Sequence, residues 1–344
     1  MEKARKALFP LQSVITQFHI PCKNAIKLFK SYIKPIALYN SEILAHLTTH
    51  QIKSIEENKT TLLEYLTQSI TDKVQNRFLK FILGVKRNCS NMATLGEVGE
   101  LPLLFHGLIH MLSYWHRTSL MHEDNLVKQA LSFLRDNGLV HSEWLSTVKY
   151  LLNLLNLDNI FDNPNLMSNK NFKELCFEKL KVILTEQWRI KISETAGTTG
   201  RTNKLRLYKL FKYTLTFELY LDYIKDFKSR KILTKFRCSD HNLEIERGRH
   251  IKLKIEDRLC RICNSDIESE KHFLQDCPCY TSIRNKCFRN GQTNNYLELL
   301  MCNDKPSIFQ LLNYITKAFK LREEVLSLPH LSDLTVKSLL CNCL

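Results

Sequence analysis

Residues that break helices are scarce in this chain, which has only 9 glycines and 8 prolines among 344 residues. Leucine, isoleucine and phenylalanine recur at helical spacing over long stretches, which predicts a mainly α protein. No apolar run approaches the roughly 18 residues that a membrane-spanning helix requires. Residues 1–15 are charged and lack the apolar core of a secretory signal peptide. The sequence therefore predicts a helical protein with neither a membrane segment nor a membrane partner.

Acidic residues are also in deficit. The chain has 35 Asp and Glu against 50 Lys and Arg, a formal net charge of +15. This excess is too large to come from a single tail, and it favours polyanionic partners such as nucleic acids. A basic surface that merely aids solubility is the alternative. With 44% hydrophobic and 25% charged residues, the chain can bury a core, which excludes a disordered tail.

Cysteine is abundant, with 12 residues in the chain, but a disulfide scaffold is not expected. Such scaffolds are short secreted domains, whereas this chain is long and shows no secretory signal. We therefore expect a reducing compartment, the cytoplasm, the nucleus or both. The scattered Cys22, Cys89, Cys176 and Cys238 are expected to be small core residues. The terminal Cys341-Asn342-Cys343 run is expected to be exposed.

Four residues have the spacing of a metal site: Cys260, Cys263, His272 and Cys277, in the order C-x2-C-x8-H-x4-C. A C-x2-C turn can point two sulfurs inward, and a following turn can add the His/Cys pair. Four protein ligands leave no open position, which is typical of one structural Zn²⁺. Cys279 is an alternative fourth ligand, and ordinary thiols with a surface histidine are the other alternative. The H-x-E signature of a nucleobase deaminase is missing, which excludes that enzyme class.

Residues 201–260 form the most basic part of the chain, with 16 Lys and Arg against 8 Asp and Glu. Aromatic residues alternate with these charges, although at helical spacing most of them are expected in the core. Lysine and arginine contact phosphates in nucleic-acid complexes. The predicted phosphate contacts are Lys235, Arg237, Arg247, Arg249 and Arg258.

Helices are predicted from apolar periodicity over 60–85, ending at Gly84, and near 103–121, 123–137, 142–156, 171–193 and 306–325. The segment 197–200, which begins and ends with glycine, is expected to be a flexible joint. His106 and His110 are four residues apart, but no H-E-x-x-H glutamate accompanies them. Core or surface roles are therefore expected for both histidines.

Five stretches occur in an order that marks a family: SYIKPIALYNSEI (31–43), RFLKFILGVKRNCSN (77–91), GEVGELPL (96–103), LTKFRCSDHNLEIERGRH (233–250) and RLCRICNSDIESEKHFLQDCPCY (258–280). Over about residues 20–290 the chain resembles the C-terminal portion of reverse transcriptases from LINE-type non-LTR retrotransposons. The resemblance implies thumb-like helices, a helical linker and a CCHC zinc knuckle that helps to hold RNA and DNA. It also implies that Cys260, Cys263, His272 and Cys277 are the knuckle ligands, next to a basic surface over 237–258.

The polar stretch 158–170, with Asn-Pro-Asn at its centre, is the first expected domain boundary, and the resemblance describes the segments around it. We expect a thumb-like or linker region over 1–157, a basic helical linker over 158–232, a basic arm with the zinc-binding domain over 233–290, and a C-terminal helical tail over 291–344. The parent family is an RNA-directed DNA polymerase, which needs paired metal-binding aspartates. No Asp-Asp pair occurs in this chain, and neither fingers and palm before residue 31 nor an endonuclease domain is expected.

We therefore expect a non-catalytic fragment that binds RNA, DNA or both, with the rest of a reverse transcriptase polyprotein as a further partner. Two alternatives stay open at this point. One is a zinc-stapled helical module for protein interaction, and the other is an inactive transposon relic.

Overall fold

The computed structural model describes residues 1–136, 142–194, 204–288 and 295–327. Over these residues the chain is mainly helical, with a small Cys/His knuckle near residues 260–277, so the predicted fold class is confirmed. None of the helices in the described ranges is long and apolar enough to cross a membrane. The expected joint at 197–200 and the terminal Cys341 and Cys343 lie outside the described residues.

The described residues form 20 α-helices. In chain order they are α1 Glu2–Gln17, α2 Cys22–Leu28, α3 Lys34–Ala37, α4 Ser41–Leu44, α5 Thr49–Glu56, α6 Leu62–Gln68, α7 Ile70–Leu83, α8 Asn91–Val98, α9 Leu103–Ser119, α10 Leu126–Asp136, α11 Glu143–Leu154, α12 Asp158–Asp162, α13 Asn169–Ser193, α14 Tyr208–Phe211, α15 Tyr220–Tyr223, α16 Phe227–Arg237, α17 Glu244–His250, α18 Thr281–Cys287, α19 Tyr296–Met301 and α20 Lys305–Ser327. Two π-helical turns, Phe29–Ile33 and His272–Asp276, and two 3₁₀ turns, Pro164–Leu166 and Pro278–Tyr280, complete the helical elements of the described residues.

The helix predicted over 60–85 is wrong in one respect, because the chain breaks at Ser69 into α6 and α7. Ser69 has extended backbone angles, φ −58° and ψ 156°. Its hydroxyl accepts from the Asp72 backbone N–H at 3.0 Å and donates to the Asp72 carboxylate at 2.8 Å. A side chain that satisfies an unpaired N–H at a helix start favours a new helix there. Gly84, with φ +69°, ends α7 as predicted.

The other predicted helices correspond to α9, α10, α11, α13 and α20, with ends that differ by up to about three residues. Local capping explains part of this agreement. At the start of α11, for example, the Ser142 hydroxyl accepts from the Leu145 backbone N–H at 3.2 Å.

Packing divides the described chain into two compact units. The first contains Met1–Phe18, Asn24–Phe78 and Glu100–Ile190, and the second contains His19–Lys23, Leu79–Gly99 and Lys191–Leu344 as far as these ranges are described. Each unit collects segments that are separated in sequence. The four consecutive segments predicted from the sequence describe chain order and not packing, so their boundaries stay a prediction.

The first unit has an aromatic core between α9, α12 and α13. Trp115 of α9 stacks on Phe161 with ring centroids 5.6 Å apart, and the neighbouring His116 stacks on Phe172 at 4.2 Å. Trp115 and Phe172 are fully buried. Stacked rings of this size supply much of the buried apolar area of a core.

The second unit has an aromatic core around Phe273, whose ring lies in the His272–Asp276 turn. Its centroid lies 4.7 Å from that of Phe319, 5.0 Å from Tyr280, 5.7 Å from Phe236 and 5.9 Å from Tyr314. These partners come from α16, α20 and the 3₁₀ turn Pro278–Tyr280. The core therefore fixes the turn that carries the predicted ligand His272.

Candidate metal centre and basic arm

The first two predicted ligands lie on a tight turn. An isolated antiparallel bridge closes its base. The Cys260 backbone N–H donates to the Asp266 carbonyl at 2.8 Å, and the Asn264 N–H donates to the Cys260 carbonyl at 2.8 Å. Asn264 takes the left-handed conformation, φ +53°, which asparagine tolerates better than most residues. The chain can therefore reverse directly after Cys263, with both sulfurs buried on one side.

The second two ligands lie at either end of the π-helical turn His272–Asp276. The Cys277 N–H donates to the His272 carbonyl, five residues earlier, at 2.8 Å. This wider turn brings His272 and Cys277 to the same side, while Phe273 points into the aromatic core. Pro278 follows immediately and begins a 3₁₀ turn. Isolated π turns of this kind are frequent at functional sites.

The four predicted ligands converge. One ligand atom from each of Cys260, Cys263, His272 and Cys277 lies within 4.8 Å of all the others, and all four residues are buried. Cys263 Sγ and His272 Nε2, for example, lie 3.3 Å apart. Tetrahedral zinc with ordinary bond lengths places its donor atoms about 3.5–3.8 Å apart. The donor set and its size therefore fit a metal ion.

The imidazole of His272 is oriented for this role. Its Nε2 faces the sulfurs, while its Nδ1 is buried and has no hydrogen-bond partner among the described residues. The Asp266 carboxylate lies 3.8 Å from Nδ1. Metal-bound histidines usually direct the other ring N–H to a carboxylate or carbonyl, which fixes the ring. Asp266 is in place to do this with a small movement.

Hydrogen bonds within the cluster favour one thiolate. The Cys277 thiol, and after it His272, donate to the Cys260 sulfur, and the backbone N–H groups of Ile262 and Cys263 also point to it, so the pKa of Cys260 is lowered. The same contact raises the pKa of Cys277, and burial raises that of Cys263. For His272, burial opposes protonation, but the Cys260 sulfur beside it raises its pKa. Within the cluster, Cys260 is thus the thiol that ionises most readily.

All four donors are protein atoms, so a bound ion would have no open position for water or substrate. Such a closed set holds structure together and does not catalyse. Cys277 belongs to the group, whereas Cys279, the alternative ligand, does not. The sequence prediction named the four residues that the fold brings together.

Arg237, a predicted phosphate contact, lies inside the protein. It is 4% exposed, and its guanidinium pairs with Glu97 at 3.0 Å and with Glu218 at 2.6 Å. It also stacks over the rings of Phe211 and Tyr220. With two carboxylates and two rings around it, this guanidinium has no face toward a nucleic-acid strand.

Arg258, a second predicted contact, is 5% exposed. Its guanidinium donates to the Ile245 carbonyl at 2.9 Å and to the Leu253 carbonyl at 2.8 Å. Gly248 makes room for it, because a Cβ there would lie 2.6 Å from Arg258 Cγ. Arg258 therefore joins α17 to the loop that follows it, and like Arg237 it is removed from the set of phosphate contacts.

Arg247 and Arg249 lie on α17 and reach the surface. The Arg247 side chain is 50% exposed and pairs with Glu244 at 2.6 Å, and Arg249 is 22% exposed and pairs with Glu246 at 2.9 Å. Each arginine side chain therefore stays partly open to solvent. Arg261, which the sequence prediction missed, is 46% exposed and lies 3.9 Å from Glu244.

Buried glutamates are the feature that sequence reasoning did not find. They pair with arginines around α17 and the knuckle. Arg322 binds the fully buried Glu268 through two nitrogens at 2.6 and 2.7 Å, and Arg206 pairs with both Glu246 and Glu270. Counting charges along the chain treats these acids as surface groups, and the three-residue spacing of Glu244 and Arg247 is a local signal for one such pair.

Lys235 lies half-buried on α16. Burial lowers its pKa, and the neighbouring Lys231 adds to this effect. Near it, the Asp240 carboxylate accepts from the Lys86 backbone N–H at 2.7 Å and lies 3.8 Å from Lys204 Nζ. Lys235 thus has Lys231 and Lys86 as neighbours in the second unit, and its phosphate contact stays a prediction.

Comparison with known proteins gives no relative for this chain, since no protein-family model, no curated protein and no solved structure matches it.

Proposed function

We propose that this chain is a non-catalytic nucleic-acid-binding protein in which one structural zinc ion holds a basic arm in place. The basic arm is residues 244–261, from the start of α17 to the C-x2-C turn. In origin it would be the C-terminal portion of a LINE-type reverse transcriptase, as the sequence motifs suggest. Catalysis is assigned to no residue, because the sequence lacks the paired aspartates of a polymerase.

One observation carries this proposal. The buried Cys260, Cys263, His272 and Cys277 cluster lies at the end of a segment with exposed cations. Zinc suits three thiolates and an imidazole better than magnesium or calcium, which prefer oxygen ligands. Binding of the ion would order the C-x2-C turn, and through Arg258 it would order the loop that presents Lys252 and Lys254 to solvent.

Phosphate contact makes a specific prediction about salt. Each phosphate that a protein cation neutralises adds about 0.7–0.9 to the slope of log affinity against log salt concentration. We would measure binding of single-stranded RNA, single-stranded DNA and duplexes to the zinc-loaded full chain across a salt series. The variant R247Q/R261Q removes two exposed cations of the arm and should reduce that slope by up to about two.

Lys320 provides a matched control. It lies in α20 of the same unit, its side chain is 78% exposed, and it pairs with Glu324 within the helix at 3.7 Å. K320Q therefore removes an exposed, helix-paired cation outside the arm, and its salt slope should equal that of the wild type. An affinity indifferent to salt, or equal slopes for all three proteins, would show that the arm does not contact phosphates.

A protein-interaction module is the second candidate, and α10 favours it. This helix exposes Leu126, Val127, Phe133 and Leu134, whose exposed fractions range from 36% to 80%. Exposed apolar side chains in one patch mark many interaction sites. If the arm variant binds nucleic acid as the wild type does, this candidate gains support.

A further inference from the structure

An open cavity in the first unit carries charges that the proposed function does not use. Its volume is about 480 Å³, within the range of roughly 300–1,000 Å³ that is typical of small-molecule sites. The first unit contains none of the metal ligands and none of the basic arm. We call it the Lys34 cavity, and its principal lining residues are Lys30, Lys34, Tyr39, Asn40, Glu42 and His110.

The backbone around the Lys34 cavity places two lysines in one wall. Lys30 lies within the π-helical turn Phe29–Ile33, and Lys34 begins α3 directly after it. Four residues along a helical path bring side chains to the same face. Asn40, which follows the C-terminal end of α3, takes the left-handed conformation with φ +56°. This turns the chain so that Tyr39 and Glu42 border the same cavity.

Lys34 is the unusual group in this wall. Lys30 pairs with Glu100 at 2.7 Å, whereas no hydrogen bond or ion pair of the Lys34 ammonium is found among the described residues. Burial lowers the pKa of Lys34, and the nearby Lys30 and Lys173 add to this effect, with only Glu100 opposing them. A half-buried lysine whose ammonium has no direct hydrogen-bond or ion-pair partner is costly. An anion in the cavity would remove that cost.

Polar groups of a second kind complete the wall. His110 Nδ1 lies 2.9 Å from the Ser41 hydroxyl, and burial lowers the pKa of His110, so the ring is neutral at pH 7 and acts as a hydrogen-bonding group. The Glu42 carboxylate adds one negative charge. The Glu42 charge and the neutral His110 disfavour a polyphosphate and favour a ligand with a single phosphate near Lys34.

Tyr39 offers an aromatic surface at the rim. Its side chain is 77% exposed, although it lines the cavity. Exposed tyrosine rings beside basic groups are the usual platforms on which nucleobases stack. We propose that the Lys34 cavity binds one nucleotide, with its phosphate against Lys34 and its base stacked on Tyr39. The nucleotide is either free or part of a single strand, since both present the same phosphate and base.

Calorimetric titration of the zinc-loaded full chain tests this directly, with adenosine monophosphate, a short single-stranded oligonucleotide and inorganic phosphate as ligands. We expect the monophosphate to bind and inorganic phosphate to bind at least about tenfold more weakly, because it has no base to stack. K34Q should weaken nucleotide binding about tenfold or more. Y39A should weaken it between about fivefold and a hundredfold.

Two variants serve as matched controls. Y32A removes a tyrosine that is 51% exposed on the neighbouring π turn, and K53Q removes an exposed lysine of α5. Both should bind like the wild type. K34R keeps the charge and should retain most of the affinity. Since all 3 tryptophans lie within 100–190 of the first unit, tryptophan fluorescence reports whether each variant is folded.

The outcomes separate the two sources of ligand. Binding of the free monophosphate that depends on Lys34 and Tyr39 identifies a mononucleotide site, and binding of the oligonucleotide alone with the same dependence identifies a strand contact. Failure of all three ligands to bind, or wild-type affinity in folded K34Q and Y39A, would overturn the inference. R247Q/R261Q should leave the titration with adenosine monophosphate unchanged, because the arm lies outside the first unit, so failure of the arm proposal and failure of this one are distinguishable.

Discussion

Replacement of one ligand, Cys263→Ser, tests the metal centre most directly. The ion would close the chain between residues 260 and 277. Covalent closure of a loop of about 15 residues stabilises a protein by about 3 kcal/mol. A ligand present at a thousandfold excess over its dissociation constant contributes about 4 kcal/mol. Loss of the ion should therefore lower the free energy of unfolding of the second unit by about 3–4 kcal/mol or more.

For a unit of this size, each kcal/mol corresponds to a shift of roughly 2–4 °C in melting temperature. We expect native mass spectrometry to find one zinc ion on the wild type and none on C263S. The thermal transition followed by far-ultraviolet circular dichroism should fall by about 10 °C in C263S, and a chelator should shift the wild type in the same direction. Tryptophan fluorescence reports only on the first unit, because all three tryptophans lie there.

Cys279→Ser is the matched control, since this half-exposed thiol lies two residues after Cys277 but outside the ligand group. It should keep its zinc and its melting temperature. Zinc retained by C263S with wild-type stability, or a wild type that binds no metal, would refute the assignment. Loss of zinc in C279S but not in a Cys277→Ser variant would move the fourth ligand to Cys279.

Three further changes probe the fold. Burial raises the pKa of Asp72 to about 7, so the folded state keeps a proton that the unfolded state releases near pH 4. The stability of the first unit should therefore fall as the pH rises from about 4 to 7. Asp72→Asn should flatten that dependence in urea unfolding followed by tryptophan fluorescence. Arg237→Met leaves the fully buried Glu97 without its cation, although the Tyr220 hydroxyl still donates to it, and should cost about 3–5 kcal/mol in urea unfolding. Gly99→Ala combines φ +65° with a Cβ placed 2.4 Å from the Phe217 nitrogen, so its melting temperature by circular dichroism should fall by several degrees. A wild-type pH dependence in D72N, a wild-type free energy of unfolding in R237M or a wild-type melting temperature in G99A would contradict the respective expectation.

Local sequence predicted the parts of this protein that depend on neighbours in the chain. Apolar periodicity located most helices, because a helix buries residues three and four apart. The spacing of Cys260, Cys263, His272 and Cys277 predicted a convergent ligand set, since two short turns can bring these donors together without distant contacts. The sequence did not predict the break at Ser69, because the apolar periodicity continues through it. Ser69 ends one helix and caps the next only when Asp72 takes the capping geometry.

Contacts between distant residues decided the rest. Arg237 is separated from Glu97 by 140 positions, so charge counting along the chain could not show that this arginine faces a carboxylate inside the protein. The Lys34 cavity depends in the same way on His110, which lies far along the chain from α3. Spacing determines which side chains share a turn, but only packing determines whether a cation meets a carboxylate, a backbone carbonyl or solvent. The reason is that the free energy of a charge depends mainly on its burial and its partners, and sequence position fixes neither.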